Sequence, residues 1–452
     1  MRIALMRITL AVSMLLVLFG SEKVWAQADA ARGKEALTTR AFVPAGWAAN
    51  AHENAWKYWQ PPLKEKPADY EAAFRDHYGL APAPYPNADL PMGLRPGKSI
   101  FGRAGLVNDC MVCHGSSILG QSIVGLGNSS LDIQALFEEL GQASGSPPNI
   151  LPFTFSRTRG TSEAGAMAVY LLSFREANLD VTFKRHDIGL RDDLCEDPPA
   201  WWLLKKKQTM YHTGTSNAKS IRSIMQFMLS PLNARSVFER EEPTFADIQA
   251  YLFSLEAPKY PLPIDRELAA VGRPLFEKNC VKCHGSYGSE ASYPNKIVPI
   301  GVIGTDRTRF DGFTERASAH YNAMWFAKEK GDAGYTVTQP TGYQAPPLDG
   351  VWATAPYLHN GSVPTLAGVL NSKARPRIFT RSYRTERADF DADNVGWKVE
   401  TLDQPAATTL PGYLQRKVYD TTAPGRGNQG HTFGDHFTDA ERRAVIEYLK
   451  TL

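Results

Sequence analysis

The chain of 452 residues alternates short amphipathic segments with long stretches rich in glycine and proline. In residues 266–279 the apolar side chains stand at positions 268, 271, 275 and 276, which is the spacing of one helix face. Residues 244–255 and 438–452 each begin with a threonine suited to an N-cap, followed by acidic residues in the first turn. We predict helices over these three segments and over residues 96–109. The pattern favours an all-α fold, mainly helical with long loops.

Composition narrows the class of protein. Hydrophobic residues make up 43% and charged residues 21%, which is typical of globular proteins and excludes a disordered chain. The chain has 50 Lys and Arg residues against 47 Asp and Glu residues, which gives a net charge of +3. A charge this small does not indicate a nucleic-acid-binding protein. The five cysteines are too few for a dense disulfide scaffold.

The first 26 residues have the pattern of a secretory signal peptide. Arg2 and Arg7 supply the positive start, residues 8–19 form an apolar run, and Ala26 and Ala28 offer small residues for cleavage. The run is shorter than the ~20 apolar residues that a membrane span needs. We therefore expect a periplasmic or secreted protein with no membrane span after signal cleavage.

Four of the five cysteines fall into two C-x-x-C-H motifs, Cys110-Met-Val-Cys113-His114 and Cys280-Val-Lys-Cys283-His284. This spacing is the attachment signal for c-type haem, because the two thiols reach the two vinyl groups of one porphyrin and the adjacent imidazole binds the iron. The two pairs are too far apart for one zinc site, and a thioredoxin-like context is absent. The sequence predicts two covalently bound c-type haems. Cys195 has no free partner, and we expect an inert thiol.

The surroundings of the two motifs repeat. Pro198-Pro-Ala-Trp201 precedes the turn that holds His212, and Pro346-Pro347 with Trp352 precede the turn that holds His359. Both turns read His-x-Gly-Ser/Thr, and each half ends on a similar closing helix. This repetition predicts two cytochrome c-type haem domains related by duplication.

The predicted domain order follows from these boundaries and from the linker, where three prolines among eight residues make a stiff connector. The predicted segments are a signal peptide 1–26, an irregular N-terminal wrap 27–95, a first cytochrome c domain with an insertion 96–256, a Pro-rich linker 257–264, and a second cytochrome c domain 265–452.

The segment Ala355-Pro-Tyr-Leu-His359-Asn-Gly-Ser-Val-Pro-Thr-Leu366 resembles a signature of the bacterial di-haem cytochrome c peroxidases and their relatives. Gly430-His431-Thr-Phe-Gly434 and the last six residues are similar to the rubber-oxygenase-related branch of these di-haem cytochromes. The resemblance is strong over residues 265–452 and weaker over 96–256. It implies two mainly helical cytochrome c domains packed face to face, with one haem passing electrons to the other.

The resemblance also indicates which residue is the sixth ligand of the second haem iron. The family peroxidases have a methionine about fourteen residues after the histidine of this signature, whereas Asn371-Ser372-Lys373 stand there in this chain. The related oxygenases use a histidine near the C-terminus as this ligand, so the resemblance implies His431 as the sixth ligand of the second haem. His359 is the alternative, and an iron without a protein ligand is the third possibility.

For the sixth ligand of the first haem iron, the sequence leaves more alternatives open. Met225 and Met228 follow His212 by 13 and 16 residues, where a faithful duplication would put a methionine ligand, and Met225 is the candidate. The same residues, with Ile221, also fit the core face of a helix. Without a side-chain ligand the iron can react with peroxide or dioxygen, with a pocket lined by Phe153, Phe155, Trp201 and Trp202. For four arginines we expect haem propionates as partners: Arg157, Arg159, Arg307 and Arg309.

These observations predict an exported di-haem c-type cytochrome oxidoreductase. The haem of His284 would relay electrons and that of His114 would react with a small-molecule oxidant or substrate; the catalytic residues are not assigned. The alternative is a non-catalytic electron carrier with two six-coordinate irons, serving a periplasmic dehydrogenase or oxidase. Either would need a redox partner protein. Similar peroxidases hold a calcium ion between their domains, but no acidic loop here suggests that site.

Overall fold

A computed structural model describes residues 27–148, 153–189, 191, 193–328 and 336–452. The predicted signal peptide lies outside the described residues. Over the described ranges, no helix combines the length and the apolar character that crossing a membrane requires.

Eight longer helices of the described chain form its framework. They are α1 (Ala30–Thr39), α2 (Tyr70–Tyr78), α3 (Ile133–Ala143), α4 (Ala164–Leu172), α5 (Arg235–Ser254), α6 (Arg266–Asn279), α7 (Glu315–Ala323) and α8 (Asp439–Leu449). One-turn helices lie between them at Ala51–Asn54, Met111–His114, Ile221–Ile224, Val281–His284, Ile300–Ile303, Thr308–Asp311, Leu366–Leu370 and Gly412–Arg416. Turns of 3₁₀ helix occur at Ala55–Tyr58, Trp201–Lys206, Met225–Met228, Trp325–Lys328, Val351–Ala353, Ser372–Ala374 and Arg387–Asp389.

Short strands connect the helices in small antiparallel sheets. The strands are β1 (Trp47–Ala48), β2 (Leu94–Lys98), β3 (Ala104–Asn108), β4 (Gly115–Ile118), β5 (Gln121–Val124), β6 (Thr209–Met210), β7 (Ser216–Asn217), β8 (Ile297–Pro299), β9 (Gly342–Gln344), β10 (Ile378–Thr380), β11 (Phe390–Asp391), β12 (Gly396–Trp397), β13 (Glu400–Thr401) and β14 (Val418–Asp420). Three-stranded sheets have the orders β1-β3-β2 and β13-β10-β14, and the remaining strands pair as β4-β5, β6-β7, β8-β9 and β11-β12.

The fold class expected from the sequence is wrong. The protein is 37% helical with 12% strand in several small sheets, which makes it a mixed α/β fold and not an all-α one. The physical reason is that the long segments between helices are partly buried, and their backbone N–H and C=O groups find partners by pairing into short ladders. Helix periodicity gives no indication of such two- to five-residue strands.

The predicted helix over 96–109 is likewise wrong, because this segment forms the hairpin β2–β3. Leu94 pairs with Asn108 and Lys98 with Ala104. Gly102, with φ of +75°, closes the turn, and that conformation favours glycine. The ladder buries Leu106 and Val107 in the core and leads the chain directly into the first haem motif.

The predicted helix over 266–279 and the N-cap at Thr438 are confirmed. Asp265 caps α6, and Thr438 caps α8 in a capping box with Glu441. The other closing helix, α5, begins at Arg235, so Thr244 lies inside it and is not its N-cap.

Each closing helix crosses a partner helix at a glycine. At Gly272 of α6, an added Cβ would lie 1.9 Å from the carbonyl oxygen of Ala444 in α8. At Gly33 of α1, an added Cβ would lie 1.9 Å from the carbonyl oxygen of Asp247 in α5. The first half therefore repeats the helix pair of the second, and it does so with a helix from the segment expected to be an irregular wrap.

We expect Gly272→Ala to destabilise the protein, because the new methyl group forces apart two backbones that touch. Overpacking of this kind costs about 1–3 kcal/mol, which thermal unfolding monitored by circular dichroism would detect as a lower Tm. Gly301→Ala is the control, since an added Cβ there meets nothing within 4 Å. Equal Tm values for the two variants would contradict this close crossing.

Candidate haem sites

Both C-x-x-C-H motifs form a single turn of helix, and the structure supports each turn differently. The second motif continues α6, because the N–H of Cys280 donates to the carbonyl of Phe276 at 2.8 Å. The first follows β3, and Asp109 accepts a hydrogen bond from the N–H of Met111 at 2.8 Å. Asp109 is itself paired with Arg95, whose Nε donates to Oδ2 at 2.7 Å. The second motif is thus positioned by a helix and the first by a buried carboxylate.

The Arg95–Asp109 pair is almost wholly buried, with 2% and 5% of the two residues exposed. Burial raises the pKa of Asp109, and the adjacent Arg95 opposes that shift. The sequence carries no signal for this pair, because the partners are brought together only by the β2–β3 hairpin.

Three of the motif cysteines, Cys110, Cys113 and Cys280, lie in surroundings that disfavour the thiolate. Burial raises the pKa of Cys113 to about 12 and that of Cys280 to about 11, and it also raises the pKa of Cys110. Reactive redox cysteines have lowered pKa values. These thiols therefore lack the electrostatics of a dithiol oxidoreductase, and they remain free of disulfide bonds.

The two proximal histidines make the same hydrogen bond. Nδ1 of His114 donates to the carbonyl of Pro199 at 3.0 Å, and Nδ1 of His284 donates to the carbonyl of Pro346 at 2.8 Å. A metal-bound histidine commonly donates its other ring N–H in this way, which fixes the ring orientation. Because this hydrogen bond occupies Nδ1, Nε2 of each ring is available for iron. The repeated Pro-Pro elements of the sequence supply the two carbonyls that accept the bonds.

Both imidazoles are neutral at neutral pH, as a metal ligand must be. Burial lowers the pKa of His114 to about 4, against the opposing effect of the Pro199 carbonyl. Burial also lowers the pKa of His284, with Pro346 opposing.

The ring of His431 lies opposite that of His284. The ring centroids are 6.2 Å apart and the ring planes differ by 61°. Two imidazoles that bind one metal through bonds of about 2.0 Å have centroids roughly 6 Å apart. The pair His284–His431 therefore fits a haem iron between them.

The backbone around His431 is built to hold this position. His431 has φ of +46°, and its N–H donates to the carbonyl of Ile303 at 2.8 Å. Gly430 packs against the backbone of Gly304 so closely that an added Cβ would lie 2.3 Å from it. Arg375 donates to the carbonyl oxygens of Gly430 and His431 at 2.8 and 3.2 Å.

The imidazole of His431 itself suits a metal ligand. Its Nδ1 is buried and has no hydrogen-bond partner among the described residues. Burial, with His284 and Arg375 nearby, lowers its pKa to about 4. A buried polar atom without a partner is rare in a folded protein, and an imidazole with a free nitrogen of this kind fits a site that binds a metal-containing group.

A cleft of about 470 Å³ lies between residues that flank Cys280 and residues that follow His431. Its lining residues are Lys278, Asn279, Lys282, Thr432, Phe433, Asp435 and His436. The rings of His284 and His431 are not among them, so this cleft is not assigned to the haem. The facing rings and the neutral imidazoles fit a c-type haem on the second motif.

His359, the alternative ligand, lies in a different hydrogen-bond network. Its ring stacks on Tyr343 with centroids 4.1 Å apart, and its Nε2 is 3.1 Å from the Tyr343 hydroxyl. Burial lowers the pKa of His359 well below its usual value. Its other ring neighbour is His212, with centroids 6.2 Å apart. The structure thus brings His431, and not His359, to face His284.

The first motif has different surroundings. All ten histidines lie within the described residues, and in that part of the chain none faces His114 as His431 faces His284. The ring of Trp201 lies 4.9 Å from that of His114. Met225 and Met228 are fully buried in a core cluster with Trp201, against which Cys110 packs. Ligation by Met225 stays a prediction.

The four arginines expected at haem propionates have protein partners. Arg159 donates to the carbonyls of Ser130 and Asp76, both at 2.8 Å. Arg309 forms a buried ion pair with Glu196. Arg307 pairs with Asp311 at 2.6 Å, and Nε of Arg157 is 3.7 Å from Asp193. Binding of propionates stays a prediction.

The fifth cysteine belongs to the first half of the chain and is buried against residues of the second. Cys195 has none of its surface exposed, and its Sγ is 3.8 Å from the Tyr419 hydroxyl. Burial raises the pKa of this thiol to about 12. These features are those of a protonated core side chain.

Comparison with known proteins points to the same chemistry. Residues 342–380, which include Tyr343 and His359, match the family model described as RoxA-like, cytochrome c-like. This match supports a rubber-oxygenase-related c-type cytochrome. A cytochrome c-like domain implies a covalently bound c-type haem and suggests a haem-containing redox protein.

Two curated relatives come from Sinorhizobium fredii (strain NBRC 101917 / NGR234). The chain is 30% identical over 241 residues to the uncharacterized protein y4iM, covering 44% of this chain and 52% of the relative. It is 28% identical over 262 residues to the uncharacterized protein y4iJ, covering 44% of this chain and 41% of the relative. The chain spans about half the length of the curated relatives it matches.

We expect Arg95→Met to disrupt the first haem site, because it leaves the Asp109 carboxylate buried without its cation. Removing one partner of a buried ion pair costs about 3–5 kcal/mol. The measurements are Tm and the fraction of peptide carrying haem on Cys110 and Cys113, determined by mass spectrometry. Arg273→Met is the matched control, because its pair with Glu277 is exposed to solvent and contributes little to stability. Equal behaviour of the two variants would show that the buried pair does not support the motif.

Proposed function

We propose that this protein is an exported di-haem c-type cytochrome oxidoreductase in which the two haems have different tasks. The haem of His284 relays electrons, and the haem of His114 reacts with peroxide or dioxygen. The observation that carries this proposal is the asymmetry of the two sites. The ring centroids of His284 and His431 are 6.2 Å apart, whereas no imidazole in the described part of the chain faces His114 in this way.

Each group of the chain has a defined part in this proposal. Haem, when bound, supplies one-electron transfer and, at an open iron position, reaction with small oxidants. The cysteines hold it covalently, and the Pro199 and Pro346 carbonyls orient the proximal rings through Nδ1. His431, together with His284, would hold the second haem's iron and would close that site to substrate, which suits electron relay.

The location follows from the same chemistry. Covalent attachment of c-type haem takes place outside the cytoplasm, and the N-terminal residues have the charge and apolar run of an export signal. We place the protein in the periplasm or outside the cell, where a redox partner protein exchanges electrons with it.

A second candidate function is a non-catalytic di-haem electron carrier for a periplasmic dehydrogenase or oxidase. The observation that favours it is the burial of Met225 in the cluster that contains Trp201 and packs against Cys110. A thioether ligand from this residue would complete the first iron and remove the open position.

The spectrum of the oxidised protein separates the two candidates. We expect electron paramagnetic resonance to show one low-spin and one high-spin centre, and cyanide to convert only the high-spin one. Two low-spin centres that do not respond to cyanide would refute the enzyme and support the carrier.

Replacement of His431 tests the closed site separately. We expect His431→Gly to convert the second haem from low-spin to high-spin, because the iron loses an axial ligand. His186→Gly is the control, since this half-exposed histidine pairs with Glu176 and lies outside both motifs and outside the segment that holds His431. If the low-spin signal of His431→Gly equals that of the control, the ligand assignment is wrong.

A further inference from the structure

The turns that hold His212 and His359 meet at the boundary between the two halves, and neither histidine is an iron ligand in the proposed function. They share one backbone conformation. The residue before each histidine has a positive φ, +68° at Tyr211 and +65° at Leu358. The glycine two residues after each histidine is also left-handed. The duplicated turns have therefore kept an unusual geometry that most side chains disfavour.

The backbones of the two turns bind reciprocally. The carbonyl of His212, in the first half, accepts the N–H of Gln344 from the second half at 2.7 Å. The carbonyl of His359, in the second half, accepts the N–H of Asp197 from the first half at 2.8 Å. Each half thus holds a segment of the other.

The imidazoles complete this arrangement. Nε2 of His212 donates to the carbonyl of Asp197 at 2.9 Å. Nε2 of His359 is 3.1 Å from the hydroxyl of Tyr343, the neighbour of Gln344. Each histidine therefore contacts one segment through its backbone and the other through its ring. We call these two histidines, with Asp197, Tyr343 and Gln344, the histidine clasp.

The segments held by the clasp are those that bind the proximal histidines. Asp197 stands two residues before Pro199, which accepts the Nδ1–H of His114. Gln344 stands two residues before Pro346, which accepts the Nδ1–H of His284. Pro198 and Pro346 have fixed φ angles, so the backbone between the clasp and each acceptor carbonyl has little conformational freedom.

We propose that His212 and His359 are positioning residues that set both proximal hydrogen bonds and thereby link the reduction potentials of the two haems. The inference rests on the proposed function for the presence of two haems. A stronger Nδ1–H bond makes the proximal imidazole more basic and stabilises the oxidised iron. Loosening the clasp weakens the bond and raises the midpoint potential.

The test is a spectroelectrochemical titration of the full chain with its haems. We expect His212→Leu to raise the midpoint potential of the first haem and to shift that of the second in the same direction. His212→Gln keeps a donor near Asp197 and should restore both values towards those of the unsubstituted protein. His320→Leu is the matched control, because His320 also bonds a backbone carbonyl, that of Leu172 at 3.1 Å, away from both motifs.

A second variant tests the proposal if His212→Leu does not fold. Tyr343→Phe keeps the stacked ring and removes the hydroxyl that contacts His359, the Asp306 carbonyl and the Phe310 N–H. We expect it to shift the second midpoint more than the first. The linkage is refuted if neither variant moves a midpoint beyond the His320→Leu control, or if His212→Leu moves the first midpoint alone. A fall in Tm with unchanged midpoints would also refute it, by showing a merely structural role.

Failure of the linkage is distinguishable from failure of the proposed function. The number of haems and their spin states are measured on the unsubstituted protein, by the pyridine haemochrome assay and by electron paramagnetic resonance. Those values test the proposed function. The differences in midpoint between variants test the clasp.

Discussion

The hydrogen bond from each proximal imidazole to a proline carbonyl is the constraint on which the rest of the structure depends. A metal-binding histidine must present one nitrogen, in one orientation and without a proton. The carbonyls of Pro199 and Pro346 impose this by occupying Nδ1. Proline suits the position because its fixed φ holds the carbonyl rigidly and its lack of an N–H leaves no extra donor to satisfy. The backbone hydrogen bonds of the neighbouring turns fix where each of these carbonyls lies.

The features that the sequence predicts well are local ones. The C-x-x-C-H spacing names six residues outright, and α6 and α8 follow from periodicity and from caps that lie within a few residues of the helix. The Pro-Pro elements are visible as a repeat, although the sequence alone does not reveal that they bind the proximal histidines. Each of these signals is carried by residues close together in the chain.

The features that sequence analysis missed depend on distant contacts. Arg95 and Asp109 become partners only when residues 94–108 form a hairpin, where a helix had been predicted. Thr244 looks like a cap, yet α5 continues through it because tertiary packing decides where that helix begins. The preference for His431 over His359 is different, because it follows already from the resemblance. In the structure the ring of His431 faces that of His284, while His359 stacks on Tyr343.

The glycine crossings also have a consequence for the order of assembly. Each closing helix meets its partner helix from roughly 170 to 210 residues further along the chain, a separation that slows folding because a long loop must close first. Both C-x-x-C-H motifs precede their closing helices, so each pair of thiols lies in an open half until its closing helix packs against it. The folded protein partly buries these thiols. We therefore expect haem attachment to precede the packing of the closing helices, which then cover the attached group.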